Sequence, residues 1–181
     1  GDTGTTYTTG QIDVDSVISV RASYTDGQGT PEAVDSADTA AVTNVNDVPV
    51  ANDDPATPEE GASTRIDLAS NDSDTDGDLD PASIRIISGP NNGTLTINDD
   101  GTVDYTHDGS ETTSDSFTYT IDDLSGATST TATVNINVTP VNDAPTIAAG
   151  QTFRVQEDAG PGTPAGTVDA SDNDNPDNSL T

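Results

Sequence analysis

The sequence predicts an all-β chain of antiparallel sandwiches with Greek-key connections, arranged as tandem modules, and three observations predict it. β-Branched and aromatic residues alternate with small polar ones, which is the period of a half-buried strand and not the 3.6-residue period of a helix. Turn sequences separate these segments at intervals of roughly 8 to 12 residues, the rhythm of a sandwich. The motif Val-Asn-Asp-x-Pro occurs twice, with Asp143 lying 96 residues after Asp47.

In chain order, Ile18, Val20, Ala22 and Tyr24 alternate with polar residues and run into the turn Thr25-Asp26-Gly27. Thr64 to Leu68, Ser83 to Ser88 and Thr94 to Ile97 are short strand candidates, the last two separated by Asn91-Asn92-Gly93. Asp99-Asp100-Gly101 reads as a hairpin turn. The clearest period-two segments follow it: Thr102 to Thr106, Ser116 to Ile121 and Thr131 to Val138. About seven strands of this kind make one sandwich, and no helix is predicted.

Modules follow from the repeat. Val42-Thr-Asn-Val-Asn-Asp-Val-Pro49 and Val138-Thr-Pro-Val-Asn-Asp-Ala-Pro145 are near copies. Solenoid repeats run to about 20 to 50 residues, whereas an immunoglobulin-type sandwich takes about 100, so the spacing predicts beads on a string. Proline bars helix and stiffens the exit, which makes both copies linkers. On this division residues 48–143 form one complete sandwich, residues 1–47 the C-terminal part of a preceding module, and residues 144–181 the N-terminal part of a following one.

Charge narrows the function. The 181 residues carry 33 acidic and 4 basic side chains, a formal charge of -29, with no lysine. Phosphate binding needs clustered Lys and Arg, so nucleic acid and anionic lipid are excluded as partners. No apolar run approaches the roughly 18 residues of a spanning helix, and neither a signal peptide nor membrane insertion is predicted. Cysteine is absent, so no disulfide supports the thin core that 29% hydrophobic residues allow. Another staple is required.

The choice of acid points to one. Of the 33 acids only Glu32, Glu59, Glu60, Glu111 and Glu157 are glutamate. Aspartate favours turns and offers a short carboxylate suited to chelation. Asn71-Asp72-Ser73-Asp74-Thr75-Asp76-Gly77-Asp78-Leu79-Asp80 sets carboxylates at every second position around a glycine. Such a loop can converge on a hard cation, and calcium takes 6 to 8 oxygens in flexible geometry. It is no EF-hand: with Asp72 as position 1, Ser83 stands where a bidentate Glu belongs. More acids gather at Asn46-Asp47, Asn142-Asp143, Asp172 and Asp174. A uniform salt-adapted coat would not concentrate them so.

A family resemblance becomes specific here. Val155-Gln-Glu-Asp-Ala159, Gly162-Thr163, Gly166-Thr-Val168, Asp172-Asn-Asp174 and Leu180-Thr181 resemble the opening of a cadherin repeat. Residues 48–143, with Asn71-Asp-Ser-Asp74, Asp100-Gly-Thr-Val-Asp-Tyr105 and Asp115-Ser-Phe-Thr-Tyr119, resemble the bacterial cadherin-like repeat of large secreted RTX-type adhesins. Residues 1–47, through Ile18 to Gly27, resemble the end of a bacterial immunoglobulin-like module. The resemblance implies calcium held between successive modules, which turns a flexible string into a rod. Carried over by position, it implies Asn46, Asp47, Asp72, Asp74 and Asp76 for the first junction. For the second it implies Glu60 with Glu59 as the alternative, then Asn142, Asp143, Asp172 and Asp174. Glu157 would serve a junction beyond residue 181.

The function expected is a calcium-rigidified spacer of a secreted or bacterial cell-surface adhesin, projecting a distal binding domain for adhesion and biofilm attachment. Its partners would be the neighbouring repeats of the same chain. Two alternatives stay open: a module that itself grips a polysaccharide or, homophilically, another cadherin-like module, and a halophilic structural domain without specific calcium sites. Four Tyr and two Phe leave few aromatics for a sugar platform. No enzyme is expected. Asp2-Thr3-Gly4 matches half of an aspartic protease pair, but no second copy follows. His107 is the only histidine, too few for a His-based zinc site or a triad, and is expected on the surface. The Asn-x-Ser/Thr triplets are of the frequency chance gives a chain this rich in Asn and Thr.

Overall fold

The structure, a computed structural model, describes residues 6–174. Asp2-Thr3-Gly4 and Leu180-Thr181 lie outside the described residues. The strands are β1 (Arg21–Thr25), β2 (Pro31–Asp35), β3 (Asp54–Ala56), β4 (Ser63–Asp67), β5 (Leu79–Ser88) and β6 (Gly93–Ile97). They continue as β7 (Thr102–His107), β8 (Ser114–Asp123), β9 (Ala132–Asn137), β10 (Thr146–Ile147) and β11 (Ala170–Ser171). The expectation of no helix is corrected by one turn of 3-10 helix at Gln11–Asp13. Asp13 accepts from the Gly10 N–H there, a local closure with no helical period behind it.

Seven strands, β3 to β9, form two facing sheets in the orders β3-β9-β8-β5 and β4-β7-β6. Every connection from β3 to β6 and from β7 to β8 crosses between the sheets, with β6–β7 and β8–β9 as hairpins. Antiparallel pairing holds throughout except at β3, which runs parallel to β9 with Asp54 opposite Val134. The prediction missed β3 because Asp54-Pro55-Ala56 carries no alternation, and Pro55 suits only an edge strand. Asp99-Asp100-Gly101 does close the β6–β7 hairpin, with Gly101 at φ +84°.

The core lies between the sheets. Ile66, Val103 and Tyr105 from one face meet Ile84, Phe117, Tyr119, Ile121, Val134 and Ile136 from the other, with Leu68 sealing one end. Each fully buried aliphatic or aromatic side chain contributes about 1.5–3 kcal/mol of transfer free energy. Because side chains alternate along a strand, β8 buries Phe117, Tyr119 and Ile121 on one face and β9 buries Ala132, Val134 and Ile136, while Thr120 is also covered on the second face of β8.

Outside the sandwich, β1 and β2 form an antiparallel hairpin with both faces exposed, and β10 pairs with β11 through Thr146 opposite Ser171. The linker 46–53 runs along the loop 71–76. Val50 and Ser73 exchange both backbone hydrogen bonds, and the Asn52 N–H donates to Asp72 at 2.8 Å.

Candidate metal centres

The loop between β4 and β5 turns its alternate carboxylates inward. Asp72, Asp74, Asp76 and Asp78 are half-buried while Asn71, Ser73, Thr75 and Gly77 are exposed. Gly77 at φ +76° permits the turn, and Asp74 Oδ1 caps it by accepting from the Asp76 N–H at 2.7 Å and the Gly77 N–H at 3.2 Å. The loop is pinned to the β8–β9 connection by the Leu124 N–H, which donates to the Asp78 carbonyl at 2.9 Å.

Three carboxylates then converge: Asp74, Asp78 and Asp123 each bring one oxygen within 4.8 Å of the other two. Asp123 is only 3% exposed, with Oδ1 accepting from the Ala127 N–H and Oδ2 from the Asn46 side chain, each at 2.8 Å. Burial works against its charge, but the Asn46, Ala127, Gly126 and Ser125 donors prevail and hold it below the ordinary carboxylate range. Burial, with Asp74 and Asp123 beside it, pushes Asp78 up despite the Ser125 hydroxyl.

Asp74, Asp76 and Asp78 each engage one oxygen in a hydrogen bond and leave the other bare. Asp74 Oδ2, Asp76 Oδ1 and Asp78 Oδ1 are buried and accept no hydrogen bond, whereas Asp76 Oδ2 accepts from the Asp47 N–H at 2.7 Å. Buried polar atoms without a partner are rare because each forfeits its hydration. Three of them in one loop beside Asp123 fit a hard divalent cation, which takes an all-oxygen shell and prefers carboxylates.

A second cluster stands at the opposite end of the sandwich. Glu60, Glu111 and Asp143 bring one oxygen each within 4.8 Å of one another. Glu60 Oε2 accepts from the Val141 N–H at 3.3 Å, which hooks the outgoing linker onto the module. Burial first, then Glu60, Asp174, Asp143 and Asp172, raise the Glu111 carboxyl, so five acids share this region.

The two clusters repeat one pattern of backbone bonds. Asn46 Nδ2 donates to the Asp47 carbonyl at 3.0 Å, the Asp47 N–H to Asp76 Oδ2, and the Asp76 N–H to Asp74 Oδ1. Likewise Asn142 Nδ2 donates to the Asp143 carbonyl at 2.7 Å, the Asp143 N–H to Asp174 Oδ2, and the Asp174 N–H to Asp172 Oδ1. Asn173 adds a bond to Asp143 Oδ2 at 3.1 Å.

Of the residues singled out from the sequence, Asn46, Asp47, Asp74 and Asp76 are thus gathered at the first cluster, and Glu60, Asn142, Asp143, Asp172 and Asp174 at the second. Two stand apart. Asp72 faces inward onto Tyr119 and the Asn52 N–H, and Glu59 is exposed, tied to Thr139 by backbone pairing. Asp78, Glu111 and Asp123 were missed. The first continues the alternation and was within reach of the pattern; Glu111 comes from the β7–β8 loop and Asp123 from the last position of β8, both far along the chain. His107, expected on the surface, is 3% exposed, because β7 ends with its ring turned under the loops of Gly61 and Gly109.

A two-sheet sandwich with acidic linkers bound into its loops defines the class as an all-β sandwich module. The family model described as bacterial cadherin-like domain matches residues 46–140, and the chain belongs to that family. No relative is found among curated proteins. Among solved structures, the chain is similar to the endo-fucoidan hydrolase MfFcnA4 of glycoside hydrolase family 107, at 22% identity and TM-score 0.41 over 72% of this chain and 20% of that one. A variant of that hydrolase gives 23% and 0.41 over the same shares. Extracellular cadherin domains 1–4 of protocadherin gamma B7 give 17% and 0.44, over 87% of this chain and 41% of that one. The chain therefore spans a fifth of the hydrolases and under half of the protocadherin structure.

Proposed function

We propose that this chain is a calcium-rigidified spacer from a secreted or surface-bound bacterial adhesin of the RTX type, extending a distal binding domain for adhesion and biofilm attachment. The observation that carries the reading is the set of bare buried oxygens on Asp74, Asp76 and Asp78 next to Asp123, at the point where the linker N–H of Asp47 is bound.

Calcium supplies a compact double positive charge that hard oxygen ligands share. Asp74, Asp78 and Asp123 would hold it at one end of the sandwich, with Asp76 adding its bare oxygen. Glu60, Glu111 and Asp143 would hold it at the other. The protein's part is to fix the linker: Asp47 and Asp143 each bind the next module's loop through a backbone N–H. A linker so tied on both sides of the ion cannot swing freely, and successive modules keep one direction. Modules in extracellular proteins typically hold calcium with Kd of about 10⁻⁴–10⁻³ M, and free ion at about 100 times Kd adds roughly 2.7 kcal/mol per site.

Calorimetric titration and thermal unfolding of the 181-residue chain test the reading. Calcium is expected to raise Tm, chelator to lower it, and chelator with molar KCl to leave it low. A Tm indifferent to chelator overturns the calcium function, and full rescue by KCl favours a salt-adapted surface instead. Small-angle scattering is expected to give a larger maximum dimension with calcium; an unchanged one refutes the rod.

A further inference from the structure

We propose that His107 is the positioning residue of the Glu60–Glu111–Asp143 cluster, an assignment that rests on the calcium reading above. The ring is buried at the end of β7, between the two loops that carry the glutamates. Nδ1 accepts the Gly61 N–H at 3.2 Å and the Gly109 N–H at 3.3 Å, and Nε2 lies 2.9 Å from Thr112 Oγ1. A nitrogen that receives two N–H groups carries its lone pair, so the proton sits on Nε2 and is donated to Thr112.

Gly61 follows Glu60 and Thr112 follows Glu111. The ring therefore holds the Gly61 N–H and the Thr112 hydroxyl, each one residue beyond a glutamate, and the His107 N–H adds a third tie by donating to the Ala62 carbonyl at 3.0 Å. Gly61 at φ +65° and Gly109 at φ +79° come close enough that a Cβ on the first would lie 3.9 Å from the Cα of the second. Without the imidazole, the Gly61 and Gly109 N–H groups lose their shared acceptor, and the separation of Glu60 from Glu111 loses its gauge. The same bonds exclude the ring as a ligand, since both nitrogens are engaged with protein groups.

The carboxylates have no reason of their own to stay together. Like charges this close repel, so their approach must be imposed by neutral groups beneath them. Outer groups that orient metal ligands typically cost about 10- to 100-fold in metal affinity when removed.

Calcium titration of the full chain in two backgrounds separates the clusters: Asp78→Asn leaves the Glu60 cluster to be read, and Glu111→Gln leaves the Asp74 cluster. His107→Leu is expected to weaken the Glu60 cluster about tenfold or more and to leave the Asp74 cluster within about twofold. His107→Gln, which keeps a polar head, is expected to recover part of the loss. Equal weakening of both clusters, or no weakening at the Glu60 cluster, overturns the assignment. If His107→Leu does not fold, Thr112→Val, which removes the Nε2 partner together with its contact to Ser110 Oγ, is read by the same criterion. Independently of calcium, ring ¹⁵N shifts must report the Nε2–H tautomer, and an Nδ1–H ring also overturns it. Absence of binding heat in the unsubstituted chain removes the calcium reading itself, a result distinct from the others.

Discussion

The Tyr119 hydroxyl lies 3.1 Å from Asp54 Oδ2 in the interior of the sandwich, where the tyrosine is fully buried and Asp54 is 6% exposed. The same hydroxyl is within 3.2 Å of both Asp72 oxygens and the Leu68 carbonyl, and 3.1 Å from the Asn52 carbonyl. One hydroxyl has one proton to give. Acceptors therefore crowd this hydroxyl at a site that joins the strand edge, the linker and the base of the acidic loop.

That crowding predicts a pH dependence. Burial raises the Asp54 carboxyl from 3.8 to about 6, against the lowering by the Tyr119 bond, with Asp72 and Asp53 adding to the rise. The folded chain then holds a proton that the unfolded chain has released at pH 5, so this group's contribution to stability grows as pH falls from about 6 towards 4. It is lost as pH rises through about 6. In chelator, the urea-unfolding free energy of the natural chain minus that of Asp54→Asn should become more favourable between pH 7.5 and pH 5. A flat difference refutes it.

Tyr119→Phe removes the one hydroxyl that Asp54, Asp72 and the Leu68 and Asn52 carbonyls share. Buried acceptors left without a partner cost about 1–3 kcal/mol, so the midpoint in urea should fall by the corresponding amount with an unchanged slope. An unaltered midpoint would mean that the hydroxyl contributes nothing net.

Asp78→Asn and Asp123→Asn should abolish binding at the first cluster and Glu111→Gln at the second, each cancelling its share of the calcium-induced rise, about 2.7 kcal/mol when free ion is at about 100 times Kd. Asp72→Asn should behave differently. Its carboxylate serves Tyr119 and Asn52, so its loss should lower Tm equally in calcium and in chelator. A calcium-selective loss in Asp72→Asn would return that residue to the ligand set.

Gly93 opens β6 against Tyr105. A Cβ there would fall 2.6 Å from the Thr106 carbonyl oxygen and 2.6 Å from the Tyr105 ring, and the backbone atom cannot step aside. Gly93→Ala should therefore destabilise by about 1–3 kcal/mol, the usual cost of overpacking a core, with the Tm in chelator as the measure. Wild-type stability in this variant would refute the close approach of Gly93 to the Thr106 carbonyl and the Tyr105 ring.

Much of the sandwich was legible because its signal is local. Ser116 to Ile121 and Thr131 to Val138 alternate cleanly, and both lie within or overlap long strands, β8 and β9, with one face in the core. β2 and β3 were not legible: Pro31 and Pro55 read as breakers, yet each tolerates a strand where no ladder N–H is asked of it. In the candidate sites, the alternating loop and the repeated Asn-Asp pairs announced themselves by spacing. Glu111 and Asp123 did not, since one enters its cluster from the β7–β8 loop and the other from the end of β8, neither with an acidic rhythm.

The sequence by itself determined the β class, the repeat and the inward run of aspartates, because strand period, proline and spacing act over a few residues. Only the tertiary structure decided which carboxylates meet. Asp72 and Asp74 differ by two residues and face the same way, yet one is claimed by Tyr119 and the other joins Asp123, 49 positions away in the chain. The assignment depends on which side chain from the opposite loop arrives within hydrogen-bonding distance. His107 makes the same point from within the fold: an isolated polar residue by sequence, it is placed by β7 where two glutamate loops close over it.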